Sequence, residues 1–539
     1  MTSRVARAVY TRFSIIFDYV SMRFTGIDFK HITEQMCGIW CCLGPDSESF
    51  PDCIERLRNR GPEYYTFRSY YGVSLGFTRL AINGLGDGGE QPFFSEDGSK
   101  LVCNGEIYNH AELRRKYDLA PSGDGDCAIL LDLIKKVGFS NACREIDGVF
   151  AMIYVSTEHV YVARDPFGVR PLFHARYEGS HIWSSEVKGF PVGATNIRPF
   201  PPGTFSVYHR TNGAFHDAKR FHTTSIAPLD SFRNPRMSHF CLREALMRAV
   251  QKRVLNTERP VAALLSGGLD SSLVAAIAAS ELRPRGIKLR TFSIGMVGSP
   301  DLKYARKVAD YIGSSHTTIT VGPEDFREVV PQVIRDIESY DVTTVRASVG
   351  NWLLGKYIKE HTDCKVVLNG DGSDEIGGGY LYMRKAPTDA HFNAETLRLL
   401  AEIHMFDVLR SDRCMAAHGL EARTPFLDKQ VVQTWLSIPA DLRASHSRIE
   451  KAVLREAFEM CELLPPDVLW RRKEAFSDGV ITDGATKKWY ARPDEADYYK
   501  SIFNAEYSNA TKVIPHMWMP KWVETTDPSA TSYLSSMKS

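Results

Sequence analysis

The spacing of hydrophobic residues changes character partway along the chain. From Cys37 to about Tyr208, apolar residues come in short alternating runs: Val73–Phe77, Phe150–Val155, His159–Val162 and Thr204–Tyr208. Gly, Pro, Asn and Asp bound these runs, which predicts half-buried strands joined by turns. Ala128–Val137 is the clearest helix among them, so an α+β domain built on antiparallel sheets is expected over 37–209. From Leu242 the period becomes helical, with Leu242, Ala245, Leu246, Ala249 and Val250 on one face. Val261–Leu265 is an unbroken apolar run, right for a buried parallel strand, and Leu269–Ser280 reads as an apolar helix. Thr291–Gly295 and Lys365–Leu368 read as further strands. Between them lies a helix with Ser299 as N-cap, Pro300 at its first position and Gly313 as its stop. Strands alternating with helices predict an α/β domain over 237–539, its parallel sheet covered by helices on both faces. Between the two, 210–236 has no apolar period and reads as a linker. After Glu395 the chain reads as helical to about Met460, then as irregular and aromatic-rich.

Bulk composition narrows the classes without choosing among them. The 539 residues carry a formal net charge of +1, with 43% hydrophobic and 24% charged residues. Such a chain buries substantial cores, and with no long basic run it is not expected to bind nucleic acid. No stretch approaches the roughly 18 apolar residues of a membrane span, so no membrane partner is expected. The 11 cysteines include no CxxC pair, which points to reduced thiols and a cytoplasmic location. Residues 1–36 stand apart. Arg4, Arg7 and Arg12 without a nearby acid are faintly like a transit peptide, but Asp18, Asp28 and Glu34 dilute the likeness. A disordered arm or an upstream start codon reads equally well.

The turn after Val261–Leu265 carries the first chemistry. In Ser266-Gly-Gly-Leu-Asp-Ser271, Gly267 and Gly268 let backbone approach a ligand, and the following helix N-terminus favours an anion. No Gly-Lys-Ser/Thr ends this loop, so it is not the Walker type. The string resembles the pyrophosphate loop of ATP pyrophosphatases, enzymes that transfer AMP. Two more loops, Ile294–Gly295 and Asn369–Glu375, fall at carboxyl ends of strands, where ligands bind in open α/β sheets. The second packs Asp371, Asp374 and Glu375 among glycines. Carboxylates so close demand a cation, and with Asp270 they form an expected Mg²⁺ site on the phosphates of ATP.

Met36-Cys-Gly-Ile, Arg60-Gly-Pro62, Thr78-Arg-Leu80, Asn104-Gly-Glu-Ile-Tyr-Asn109 and Arg164-Asp-Pro-Phe-Gly-Val-Arg-Pro171 follow in order. This set, from Cys37 to Pro202, resembles the N-terminal-nucleophile glutamine amidotransferases. The resemblance implies an N-terminal-nucleophile sandwich in which Cys37 attacks the glutamine amide and its own α-amine serves as base. It assigns the oxyanion to Asn104 and the Gly105 N–H. Arg79 would hold the substrate α-carboxylate, and Asp126, with Glu106 nearby, its α-ammonium. Cys37 can play this part only with a free amine, so the mature chain is expected to start there.

Adding Thr343–Val349, His418–Asp428, Lys473–Gly479 and Trp518–Trp522, the chain from Cys37 onward resembles the glutamine-hydrolysing asparagine synthetases. The resemblance implies that ATP activates aspartate as β-aspartyl-AMP and that ammonia from glutamine displaces AMP. By position, Leu265 and Ile294 would hold adenine and ribose, Ser266 to Ser271 the phosphates, and Asn369 and Gly370 the nucleotide. Asp270 and Asp374 would hold Mg²⁺; Asp371, Glu375 and Lys473 would act in the chemistry. Glutamine, aspartate and ATP are the expected small-molecule partners, and a homodimer is a compatible assembly. The chain departs from the family where Asn369-Gly-Asp371-Gly replaces the usual Ser-Gly-Glu-Gly. A carboxylate shortened by one methylene puts rate in question more than reaction type. Two other readings stay open: amidation of a different carboxylate, and a non-catalytic interaction protein on the same scaffold.

Overall fold

The computed structural model describes residues 37–120, 123, 125–444, 448–473, 480–481, 489–490, 492–510 and 517–525. The extension 1–36 and most of the Lys473–Gly479 motif lie outside them. The first half contains β1 (Gly38–Leu43), β2 (Tyr64–Tyr70), β3 (Val73–Arg79), β4 (Phe93–Phe94), β5 (Lys100–Ile107) and β6 (Gly148–Val155). It continues with β7 (His159–Arg164), β8 (Phe173–Tyr177), β9 (Ser180–Ser184), β10 (Thr195–Pro199), β11 (Thr204–His209) and β12 (Phe215–Arg220). They form two six-stranded sheets, ordered β10-β8-β9-β1-β3-β2 and β12-β11-β7-β6-β5-β4, with antiparallel neighbours throughout.

The alternation seen in the sequence becomes the sandwich. Ile39, Cys41 and Leu43 of β1 and Leu75 and Phe77 of β3 share one buried cluster with Ala151, Ile153 and Val155 of β6. The opposite face of the second sheet is covered by helices, through Leu113, Leu130, Leu133 and Ile134 packed on Leu101, Cys103 and Met152. The predicted helix at 128–137 is a short 3₁₀ turn, Cys127–Ile129, followed by an α-helix, Leu130–Val137.

The second half holds a five-stranded sheet ordered β15-β14-β13-β16-β17, with β13 at Val261–Leu264, β14 at Arg290–Gly295, β15 at Ser315–Thr320, β16 at Val366–Leu368 and β17 at Glu421–Arg423. All of its pairings are parallel. The chain runs outward from β13 through β14 to β15, then returns to the other side of β13 with β16. The strand order therefore reverses between β13 and β16, and a crevice opens there at their carboxyl ends.

Two boundaries differ from the sequence pattern. Within 210–236, Phe215–Arg220 is a strand that pairs with β11. Four of its six residues are polar and five are exposed, so no alternation marks it. The long helix starts at Pro235, with Asn234 accepting from Arg236 N as its N-cap, one to two turns before its apolar period begins. The two halves also share interior. Trp40, Phe50 and Phe173 lie in one buried cluster with Phe292, Ile294 and Trp352, and Val149, Phe167 and Val169 in another with Leu242, Leu246 and Leu273.

Candidate functional sites

Cys37 precedes β1, and its thiol lies between the strands of the first half and the loop after β3. Cys37 Sγ donates to Leu80 O and accepts from Leu80 N, both at 3.4 Å. Burial pushes the thiol up to about 12, with the Leu80 backbone and Arg79 opposing. A cysteine so placed is a neutral thiol at physiological pH and needs a base beside it. The cavity it faces is also lined by Arg79, Gly105, Glu106 and Asp126. Arg79 is held by the Asn83–Glu90 loop through Gly86 O (2.9 Å) and Gly84 O. Gly89 lies so close that a Cβ there would meet Arg79 Nη2 at 2.1 Å, so a larger residue would push the guanidinium from its present place. Asp126 is buried, accepts from Ile107 N, and is pushed up by that burial. Asn104 is not among the residues lining this cavity, yet its Nδ2 is buried with no hydrogen-bond partner, the kind of orphan donor that a ligand oxygen would satisfy.

Glu106 lines this cavity and is also tied across the seam. Its Oε2 accepts from Asn83 Nδ2 (2.9 Å), Asn256 Nδ2 (3.1 Å) and Arg423 Nη2 (2.9 Å), so it anchors the seam between the halves. Arg60 does the same from the other flank. Its Nε donates to Cys37 O at 2.9 Å, and its Nη1 reaches Glu186 (2.6 Å) and Asp412 (2.8 Å).

At the switch point of the parallel sheet, one cavity of about 200 Å³ is lined by Leu265, Ser266, Gly268, Asp270, Ser271, Ile294, Asn369, Gly370, Asp371, Asp374, Glu375 and Lys473. Every nucleotide-site residue expected from the sequence is therefore here except Gly267. That glycine instead shapes the loop: its φ is +75°, a Cβ would meet Ala305 N at 2.5 Å, and its carbonyl accepts from Arg471. Ser266 and Ser271 bond to each other across the turn, Oγ to Oγ at 3.0 Å. The two loops meet so closely that a Cβ on Gly370 would touch Ser271 N at 2.8 Å.

Charge in this cavity is paired before any ligand arrives. Lys451 Nζ lies 2.6 Å from Asp270 Oδ2 and 2.5 Å from Asp374 Oδ1, while Lys473 Nζ takes Asp374 Oδ2 at 2.5 Å. Burial works to raise the Asp374 carboxyl, but Lys451 and Lys473 hold it well below the usual range. Asp371 accepts from Arg410 Nη2 at 2.9 Å and from Asn369 Nδ2 at 2.8 Å. Asn369 thus reaches across to the carboxylate at 371. Glu375 is fully buried and accepts from Tyr380 Oη at 2.5 Å; burial, Asp407 and Asp374 push it well above its ordinary value. Sequence reasoning missed Lys451, Arg410, Asp407 and Tyr380. None sits in a glycine-marked strand-end loop except Tyr380, which follows Gly377–Gly379.

Fold and sites together define a two-part enzyme, a glutamine amidotransferase joined to an ATP-dependent synthetase of the pyrophosphate-loop kind. Residues 36–208 match the glutamine amidotransferase domain family, and 241–393 with 384–513 match asparagine synthase. The chain belongs to the glutamine-hydrolysing asparagine synthetase family. It is 38% identical over 568 residues to the asparagine synthetase (glutamine-hydrolyzing) of Mus musculus, covering 93% of this chain and 100% of that one. The Homo sapiens enzyme of that name gives the same identity and coverage. That of Gallus gallus is 38% identical over 557 residues, covering 92% and 98%. Among the described residues, no helix is long and apolar enough to cross a membrane.

Proposed function

We propose that this chain makes L-asparagine from L-aspartate, ATP and the amide nitrogen of glutamine, with Cys37 generating ammonia and the crevice at Ser266 consuming it. One observation carries the reading. The two cavities lie at opposite ends of the same two strands. Val261 and Val366, which open β13 and β16, pack with Leu80 and Ile82 beside Cys37, while the loops that follow Leu264 and Leu368 line the second cavity. Ammonia is lost once protonated in water, so an apolar path along these strands suits it.

At the first cavity the thiol needs a proton acceptor. The α-amine of Cys37, with a reference pKa of about 7.7–8.0, would supply it once residues 1–36 are absent. Arg79 and Asp126 would clamp the two charged ends of glutamine, and Asn104 Nδ2 with the Gly105 N–H would meet the oxyanion. At the second, Ser266, Gly268 and Ser271 would cradle phosphate, and Leu265 and Ile294 the nucleoside. Asp371, fixed by Arg410, and the buried Glu375 would face the reacting carboxylate, and Lys473 would offset charge on phosphate. Formation of β-aspartyl-AMP expels pyrophosphate, and ammonia then expels AMP.

The donor set suits Mg²⁺, since Asp270 and Asp374 are hard oxygen ligands that already share one cation, Lys451. Bound there, Mg²⁺ would neutralise phosphate charge, and Lys451 would then give up its bridging place.

The test is Cys37→Ala in protein whose N-terminus has been sequenced. Glutamine-dependent asparagine formation should fall at least about 10³-fold, while synthesis from ammonium persists within about twofold. Loss of both would break the two-site reading. Undiminished glutamine-dependent synthesis from a chain that retains Met1 would break the role given to the α-amine.

A further inference from the structure

At one corner of the second sheet three imidazoles meet that line neither cavity. His159 opens β7, His209 closes β11, and His216 follows in β12. The register sets His159 directly opposite His209. The turn after His209 closes through His209 N to Ala214 O and Gly213 N to His209 O, both 2.9 Å, and returns the chain with His216 beside them. Ring centroids stand 4.8 Å apart for His159 and His209, 5.1 Å for His159 and His216, and 4.8 Å for His209 and His216. One nitrogen from each lies within 4.8 Å of the other two.

Packing core does not explain this arrangement, since His216 is exposed and a core histidine normally satisfies its ring nitrogens. His159 Nε2 is instead buried with no hydrogen-bond partner. Burial, His209 and His216 all push His159 below its ordinary value, which favours the neutral ring with its lone pair. Imidazole nitrogens from three strands, converging on a point with one left unsatisfied, make a nitrogen-donor set for a borderline metal ion.

We propose that His159, His209 and His216 bind one divalent transition-metal ion of the zinc type. Three protein nitrogens leave a fourth position for water, while Glu158, whose Oε2 lies 4.0 Å from His159 Nδ1, stands beside the ring's other nitrogen. Zinc–nitrogen bonds of about 2.0–2.1 Å in a tetrahedron place the nitrogens roughly 3.3–3.4 Å apart. The cluster must therefore tighten on binding, and the exposed ring of His216 is free to turn inward. The role follows from position. β12 is an edge strand that pairs only with β11 and is exposed along nearly all its length. An ion held by β7, β11 and β12 fastens this edge to the sheet interior.

The probe is Zn²⁺ alone, titrated calorimetrically into full-length chelator-stripped protein, with Co²⁺ absorption reporting the donor atoms. One ion per chain should bind with a nitrogen and oxygen spectrum lacking thiolate charge transfer. His216→Gln, at an exposed position, should weaken it at least about tenfold, and His209→Ala with His216→Ala at least about a hundredfold. Ammonium-dependent synthesis should be unchanged in both variants, which shows that they fold. Zinc should also raise the wild-type melting temperature but not that of the double variant. Binding of equal strength in the wild type and both variants, a thiolate spectrum, or no binding at tens of micromolar Zn²⁺ would each overturn the proposal.

Discussion

The cavity at Cys37 and the cavity at Ser266 differ in how their charges stand before a substrate enters. At Cys37 the thiol is protonated, because burial pushes it up to about 12, and Arg79 bonds to the carbonyls of Gly84 and Gly86. At Ser266, charges are already cancelled: Lys451 bridges Asp270 and Asp374, Lys473 completes Asp374, and Arg410 holds Asp371. On the proposed roles, ammonia release therefore waits for a proton acceptor. Adenylation waits for a ligand whose phosphates and cation can take over ion pairs the protein has made with itself. A buried ion pair costs desolvation that its attraction barely repays, so a network ready to exchange partners is more readily maintained than one of bare charges.

The largest effect that tests this contrast is expected from Lys451→Met. It strips the shared cation from two carboxylates and should lower synthesis with either nitrogen donor roughly 10²–10³-fold, while glutamine hydrolysis stays within a few-fold. Equal loss of both activities would erase the distinction. Asp371→Asn comes next. It weakens the tie to Arg410, and synthesis measured by pyrophosphate release should fall about 10- to 100-fold, again sparing hydrolysis.

The first cavity is tested by alkylation of Cys37 in a chain whose Cys37 nitrogen is acylated. With the folded thiol near 12, thiolate is about one part in 10⁴ at pH 8. The alkylation rate, followed by intact mass, should climb about tenfold per pH unit from 8 to 11; a plateau below pH 9 would mean a second base is present. The smallest effect concerns the seam. Asp412→Asn leaves Arg60 with Glu186 and with Cys37 O, and should raise glutamate formed per asparagine by about two- to fivefold. No change would make the two sites energetically independent.

Much of this was legible from residues alone, and the losses have physical causes. Val73–Phe77, Phe150–Val155 and Val261–Leu265 announced their strands because one or both faces are buried, which enforces the apolar pattern. Phe215–Arg220 did not, because an exposed edge needs none. Glu421–Arg423 hid for the opposite reason. Its charged residues are buried by pairing, Arg423 with Glu421 at 2.6 Å and with Glu106 at 2.9 Å, so a core strand reads as polar. The Ser266 and Asn369 loops were readable because glycine marks close backbone approach. Lys451 was not, since nothing beside it in sequence foretells that tertiary packing will set its ammonium between Asp270 and Asp374. Glu106 shows the same limit: its motif is local, but its partner Arg423 is 317 residues away.

The interior shared by the halves has a consequence for how the molecule comes apart. Trp40 and Phe173 lose their cover if Phe292 and Ile294 unfold, and Leu242 and Leu273 lose theirs if Phe167 does. Melting of either half exposes apolar surface on the other, at roughly 25 cal/mol per Å². The chain should therefore denature as one cooperative unit, and a lesion that loosens the nitrogen-releasing half is paid for in the lifetime of the half that uses the nitrogen.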